Sequence, residues 1–135
     1  MGDRGNIVIR SRSNSNREDV WLYTHWGGSA IKETLAQALK RKVRWNDPAY
    51  LARIIFCEMS GGSMSQETGF GISTWQCDNE YDRLVVDVER QRVYSVPEPK
   101  EERYGPIYLP DKLDASNTNG VWTFEEFIAR EWEKL

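Results

Sequence analysis

The residues with the strongest chemical character lie in one run, Tyr23–Ser29, where aromatic side chains and the only histidine, His25, precede two glycines. The glycines leave room for a ligand because they have no side chain. Ser29 is predicted to cap a helix whose first N–H groups lack partners within the helix. Such a helix start attracts phosphate or carboxylate groups. The run therefore predicts a site for a flat anionic ligand, and the alternative is a tight turn with aromatic packing.

Two arginines outside this run, Arg4 and Arg53, are predicted to pair with the phosphates of such a ligand. The basic cluster Lys40–Arg44 could do the same, although positive charge at a helix C-terminus also suits the helix dipole. The predicted ligand-binding residues are Arg4, Tyr23, His25, Trp26, Gly27, Gly28, Ser29 and Arg53.

Three other motifs give weaker evidence for a binding site. Gly69–Gly71 lacks the third glycine of a dinucleotide-binding turn, so it predicts at most a bare strand face under a ligand. Asp78–Asp82 lacks the calcium-loop pattern and is typical of a turn. His25 with Cys57 and Cys77 contains no closely spaced cysteine pair, so no zinc site is predicted. We expect no metal, no cofactor and no catalytic residue.

The helices and strands that position these residues are predicted from the spacing of apolar residues and from the residues that begin and end each element. The pattern predicts the strands Asn6–Arg10, Val20–His25, Thr68–Trp75, Arg83–Val88 and Arg92–Val96. It predicts helices from Ala30 to about Lys42, from Pro48 to about Met59 with Asp47 as the N-cap, and a last helix that starts with a capping box of Thr123 and Glu126.

This order predicts an α+β fold in which helices cover one face of a mainly antiparallel sheet of about five strands. We expect a single domain, 1–135, with a long irregular connection at 97–120. The middle of this connection is expected to pack against another part of the protein through Tyr104, Ile107, Tyr108 and Leu109. The residues expected in the core are Leu35, Leu39, Leu51, Ile54, Ile55, Phe70, Ile72, Leu84, Val86, Phe127, Ile128 and Trp132.

Composition excludes several classes of protein. The 135 residues carry 18 basic and 21 acidic side chains, a net charge of −3, which argues against binding a nucleic-acid polymer. No apolar run is long enough for a membrane span. The polar start and the two cysteines predict a reduced, cytoplasmic protein without a secretory signal. Six Trp, six Tyr and four Phe supply rings either for the core or for stacking on a ligand.

Five segments carry a resemblance to known proteins: Met1–Arg4, Tyr23–Gly28, Tyr50–Phe56, Glu67–Ser73 and Asp78–Tyr81. Together they resemble a group of small accessory proteins of bacteriophages and prophages, a family with no established activity. The likeness covers most of residues 1–90 and the Trp122–Ile128 segment, and its members usually have Ala where this chain has Gly5. The resemblance implies a compact accessory phage protein in the cytoplasm of the infected bacterium. By analogy with many such accessory proteins, we expect it to counter host defence.

We therefore expect a non-catalytic protein that sequesters a small, anionic, nucleotide-derived signal, and we expect it to be a homo-oligomer. One alternative is a small hydrolase of a nucleotide-like ligand with His25 as acid and base. The other is an inhibitor that binds a host defence protein through the 97–120 connection.

Overall fold

Six strands form one mixed sheet in the computed structural model, which describes residues 2–62, 65–99 and 105–132. They lie in the order β3-β2-β1-β4-β5-β6, and β1 and β4 pair in parallel while every other neighbouring pair is antiparallel. The predicted α+β class is confirmed, with a sixth strand that the sequence pattern did not indicate. The strands are β1 (Gly5–Arg10), β2 (Val20–Thr24), β3 (Phe70–Ser73), β4 (Arg83–Asp87), β5 (Arg92–Val96) and β6 (Gly120–Thr123).

Three α-helices pack against this sheet: α1 (Ile31–Leu39), α2 (Pro48–Ser60) and α3 (Phe124–Ala129). The predicted start of α2 is confirmed, because the Asp47 side chain accepts a hydrogen bond from the Tyr50 N–H at 3.2 Å. The capping box of Thr123 and Glu126 at the start of α3 is also confirmed. No helix in the described part of the chain is both long enough and apolar enough to cross a membrane.

The first helix is shorter than predicted at both ends. A 3₁₀ turn, Gly28–Ala30, precedes it, and its N-cap is Ala30, so the prediction that Ser29 caps the helix is wrong. Ser29 instead donates to the Asp3 carboxylate through its N–H and its hydroxyl. At the other end the Trp45 indole N–H donates to the Leu39 carbonyl at 3.1 Å, and the backbone turns away with a positive φ of 52° at Lys42.

The face of the sheet that carries Ile7, Leu22 and Leu84 is covered by the helices and contains the larger core; we call it the helix-covered face. Ile72 faces the same side but is 65% exposed, so its predicted burial is wrong, because β3 is an edge strand that extends beyond the helices. The predicted core residues that are fully buried are Leu35, Leu39, Leu51, Ile55, Leu84, Val86 and Phe127, and those that are half-buried are Ile54, Phe70, Ile128 and Trp132.

The opposite face is also buried, under the irregular connection, and we call it the loop-covered face. Val8, Trp21 and Val85 from the sheet pack there with Leu109 and Leu113 from the connection. Within the segment predicted to pack, Leu109 is buried, Ile107 is half-buried and Tyr108 is exposed, while Tyr104 lies outside the described residues. Helices thus cover one face, as predicted, and a second core lies under the other.

A buried ion pair fastens the connection to this face. The Arg10 guanidinium donates to both carboxylate oxygens of Asp19, at 3.0 and 2.8 Å, and both side chains are 1% exposed. It also donates to the carbonyls of Pro110 and Asp111, each at 2.9 Å. Burial raises the pKa of the Asp19 carboxyl, against the lowering effect of Arg10. One cation therefore joins β1 to two otherwise irregular segments.

Candidate functional site

The aromatic ladder, which we define as Tyr23, His25 and Trp26, leaves the end of β2. The Tyr23 hydroxyl and His25 Nδ1 share a hydrogen bond of 2.7 Å. The His25 and Trp26 rings meet at right angles, with centroids 5.2 Å apart, and Trp26 is 56% exposed. Side chains two positions apart on a strand point the same way, and the structure brings Tyr23 and His25 together accordingly. The ladder therefore ends in a large ring that faces solvent.

The bare strand face predicted at Gly69 is covered by the protein itself. A Cβ on Gly69 would lie 2.1 Å from Trp26 Cζ3, and Gly69 has a positive φ of 98°. The Trp26 ring also contacts Phe70 edge-on, with centroids 6.5 Å apart. The absence of a side chain at Gly69 thus makes room for the indole, which fixes the outer end of the ladder.

The N-terminal segment, Gly2–Arg4, fills the niche at the Gly27–Ser29 turn. The Ser29 N–H donates to both carboxylate oxygens of Asp3 at 3.1 and 3.0 Å, and its hydroxyl donates at 2.6 Å. The Gly28 N–H donates to the Asp3 carbonyl at 2.8 Å. The donors that we expected to hold a ligand's phosphate are therefore bonded to a carboxylate of the same chain.

Asp3 is held by a third residue that lies far away in sequence. The Tyr81 hydroxyl donates to its carboxylate. The pKa of the Asp3 carboxyl is lowered, because the hydroxyls of Ser29 and then Tyr81 stabilise its ionised form. The same hydrogen bond raises the pKa of Tyr81, because the hydroxyl can donate to Asp3 only while it keeps its proton. Neither Asp3 nor Tyr81 was among the predicted site residues.

The same segment also covers part of His25. The Asp3 N–H donates to the His25 carbonyl at 2.7 Å, and a Cβ on Gly2 would lie 2.9 Å from Cε1 and Nε2 of the imidazole. One ring nitrogen of His25 therefore faces Tyr23, and the other lies against the backbone of Gly2. His25 is positioned on both sides by the protein itself.

Arg4 is close to the ladder but its charge is compensated. Its Nε donates to Glu80 at 2.9 Å and its Nη1 to Asp78 at 3.3 Å. The hydrogen bond to Glu80 is the main reason that the pKa of Arg4 is raised. Arg53 is exposed on α2 and makes no ion pair with another described residue. The structure therefore brings Arg4 to the predicted site and provides no contact that joins Arg53 to it.

A cleft lies beside Arg4, because Asp78, which accepts a hydrogen bond from Arg4 at 3.3 Å, is one of its lining residues. It measures about 560 Å³ and is lined by Trp75, Cys77, Asp78 and Ile107 among others. Burial and then Asp78 raise the pKa of both Cys77 and Tyr23, which places these three groups in one electrostatic neighbourhood. A raised pKa keeps the Cys77 thiol protonated at neutral pH, which does not favour nucleophilic chemistry.

The turn at Asp78–Asp82 supplies partners to other segments. Asn6 Nδ2 donates to the Asp78 carbonyl at 3.0 Å, and Asp82 accepts from Ser95 and Asn119 at 2.9 and 2.7 Å. No group of three or more His, Cys, Asp and Glu side chains that could hold a metal ion occurs in the parts of the chain described, and both cysteines are free thiols. The predicted turn is therefore a junction between β1, the N-terminal segment and β5.

Comparison with protein-family models, with curated proteins and with solved structures finds no match for this chain.

Proposed function

We propose that this chain is a non-catalytic binding protein that sequesters a small nucleotide-like ligand on the aromatic ladder and in the cleft beside it. The observation that carries the proposal is the exposed Trp26 ring, fixed at right angles to a histidine that is itself held by Tyr23. A fixed and exposed indole suits stacking on a nucleobase, because a rigid ring loses little conformational entropy when it binds.

The electrostatics favour the base rather than the phosphate as the recognised group. Asp3 already occupies the donors at Ser29, and Arg4 is paired with Asp78 and Glu80. The Asp78 side chain is 72% exposed, and its Oδ1 has no hydrogen-bond donor among the described residues. An amino group on the base, or a ribose hydroxyl, is the partner that such a carboxylate oxygen accepts from. The anionic part of the ligand then extends away from this acidic edge.

The size of the cleft supports a ligand of this class. Its volume of about 560 Å³ lies within the range of roughly 300–1,000 Å³ that small-molecule sites occupy. Asp78 lines the cleft and accepts a hydrogen bond from Arg4, which follows directly on Asp3, the residue whose N–H donates to the His25 carbonyl. We propose sequestration of a defence signal as the biological use, by analogy with phage accessory proteins that counter host defence.

The proposal is tested by measuring the melting temperature with a panel of cyclic nucleotides and ADP-ribose derivatives, followed by chromatography of each compound that stabilises the protein. We expect at least one compound to raise the melting temperature and to be recovered intact. Recovery of a converted product would instead support the hydrolase. If no nucleotide in the panel raises the melting temperature, the proposal is contradicted.

Two exposed aromatic residues give a matched pair of variants. Trp26→Ala is expected to weaken binding of the stabilising nucleotide roughly 5–150-fold, since stacking on one base contributes about 1–3 kcal/mol. Tyr50→Ala is the control, because Tyr50 is 57% exposed on α2, where Arg44 stacks on it. Equal affinity of both variants and the parent would contradict the assignment of the site to Trp26.

A further inference from the structure

The outer edge of β3 presents backbone groups that no strand in the described residues pairs with. In an antiparallel pair, alternate residues direct both their N–H and their C=O toward the neighbouring strand. The His25 N–H donates to the Gly69 carbonyl at 2.9 Å, which continues the pairing of β2 with β3 by one residue. Gly71 and Ser73 therefore bond to β2, and the N–H and C=O groups of Phe70 and Ile72 point outward.

The side chains of this edge do not protect it. Proteins usually block an edge strand with a charge, a proline, a bulge or a covering segment. The strand Phe70–Ser73 contains no charged residue and no proline, and Ile72 is 65% exposed. Thr68 and Thr74 on either side are also uncharged. Two copies that paired along residues 68–74 would therefore bring no charged side chains of this segment together.

The other edge of the sheet is partly blocked. The Phe124 N–H donates to the Gln91 carbonyl at 3.2 Å, so alternation directs the N–H groups of Val121 and Thr123 outward from β6. The Glu126 carboxylate accepts from the Thr123 N–H at 2.9 Å, which removes one of these two donors and places a negative charge beside the strand. The capping box of α3 thus also protects an edge, and β3 has no counterpart to it among the described residues.

We propose that β3 pairs with β3 of a second copy of this chain in an antiparallel, two-fold symmetric arrangement centred on Gly71. In that register Phe70 of each copy lies opposite Ile72 of the other, and these are the residues whose backbone groups point outward. Gly71 lies opposite itself at the close, non-hydrogen-bonded position, where the absence of a side chain allows the strands to approach. Each exposed Ile72 then packs against an aromatic ring, a favourable cross-strand pair.

The small size of this contact favours a weak dimer. A stable interface buries about 800 Å² on each partner. A strand of four residues with two apolar side chains on one face supplies less than that, so the dimer is expected to dissociate in the micromolar range. It forms at the edge of the sheet, and the proposed ligand-binding function does not depend on it.

Sedimentation equilibrium over low to several hundred micromolar protein tests this pairing. We expect the weight-average mass to rise from 15.7 kDa toward twice that value. Ile72→Lys is expected to weaken dimerisation roughly tenfold or more, because a charge on an edge strand opposes pairing. Val121→Lys on β6, where Val121 is 40% exposed, is the matched control and is expected to dimerise as the parent does.

Amide hydrogen exchange provides a readout that does not depend on any substitution. The amides of Phe70 and Ile72 are expected to exchange fast in dilute protein and to become protected as the concentration rises, while those of Gly71 and Ser73 are protected throughout. A mass that stays at 15.7 kDa over the whole range, or a dimer that Val121→Lys disrupts and Ile72→Lys does not, overturns the proposal.

Discussion

The two faces of the sheet are buried by different means. On the helix-covered face, apolar side chains such as Leu35, Leu51 and Ile55 pack at full burial and the helices provide their own backbone hydrogen bonds. On the loop-covered face the covering segment has no regular structure, so the buried Arg10 satisfies two of its carbonyls. A covering segment without secondary structure does not pair its own backbone groups. Buried polar side chains such as Arg10 then supply the hydrogen bonds that a helix or strand would supply.

This difference predicts different consequences of damage on the two faces. An apolar core loses stability through a cavity, and the neighbours can partly relax around it. A buried ion pair that loses one partner leaves an uncompensated charge that cannot relax away. Removing a single side chain should therefore cost at least as much on the loop-covered face, although that face has the smaller core.

The largest effect is expected from Arg10→Ala, which leaves the Asp19 carboxylate buried without its cation. The free energy of unfolding should fall by about 3–5 kcal/mol in chemical denaturation. Arg12→Ala is the control, because the exposed pair of Arg12 with Glu18 at 3.6 Å contributes only about 0–1 kcal/mol. A small loss for both variants would show that the ion pair does not hold the connection to the sheet.

Replacing both partners sharpens this result. Arg10→Met combined with Asp19→Leu removes the charges as well as the hydrogen bonds to Pro110 and Asp111. Stability should recover in part relative to Arg10→Ala, since no unpaired charge remains. Chemical denaturation measures the free energy of unfolding of this double variant. Full recovery to the value of the parent would mean that the hydrogen bonds to the two carbonyls contribute nothing.

The next largest effect is expected on the helix-covered face, from Ile55→Ala. Ile55 is fully buried, so the loss should be about 2–5 kcal/mol. Ile72→Ala is the matched control, because Ile72 faces the same side of the sheet but is 65% exposed. Its loss in denaturant should lie within about 0.5 kcal/mol, as for most surface substitutions. A comparable loss at both positions would contradict the assignment of Ile72 to an uncovered edge.

A smaller effect is expected at the start of α3. Thr123→Ala removes the side chain that accepts from the Glu126 N–H at 3.1 Å, and it should cost about 1 kcal/mol. Thr123→Ser keeps the hydroxyl and should retain most of the stability. Thermal denaturation of both variants measures the difference, and equal melting temperatures for Ala and Ser would argue that the cap is not used.

The smallest effect depends on pH and concerns Asp3. Its pKa is lowered in the folded protein, so its contribution to stability is present above the unfolded value of about 3.9 and is lost as the pH falls through the folded value. The stability difference between the parent and Asp3→Asn should therefore be constant near neutral pH and shrink below about pH 4. Denaturation at several pH values measures it, and a difference that grows on acidification would contradict the lowered pKa.

Local signals predicted most of the fold. Helix-capping residues located the starts of α2 and α3, because a cap acts within a few residues, as at Asp47 and Thr123. Alternation identified the strands of the two hairpins, β1–β2 and β4–β5, for the same reason. The sixth strand was missed because Gly120–Thr123 is short and merges with the capping box. Ile72 was misassigned because alternation reports a side chain's direction and carries no information about what covers it.

The site was harder to predict because its partners are far apart in sequence. The contact of Tyr23 with His25 follows from strand alternation, since the two are separated by two positions. The sequence also indicated that donors at Ser29 would attract an anion. Nothing in one sequence indicates that the anion is Asp3, or that Tyr81 completes its binding, since both contacts depend on the tertiary fold.

The parallel pairing of β1 with β4 has a consequence for the rate of folding. Ile7 pairs with Leu84, so the centre of the sheet forms only after a long stretch of chain has closed on itself, whereas the β1–β2 and β4–β5 pairs need only short loops. Non-local pairings of this kind slow folding, because the entropy of loop closure is lost before the contact forms. The two hairpins can therefore form early and independently, and their docking along β1 and β4 is the step expected to limit the rate.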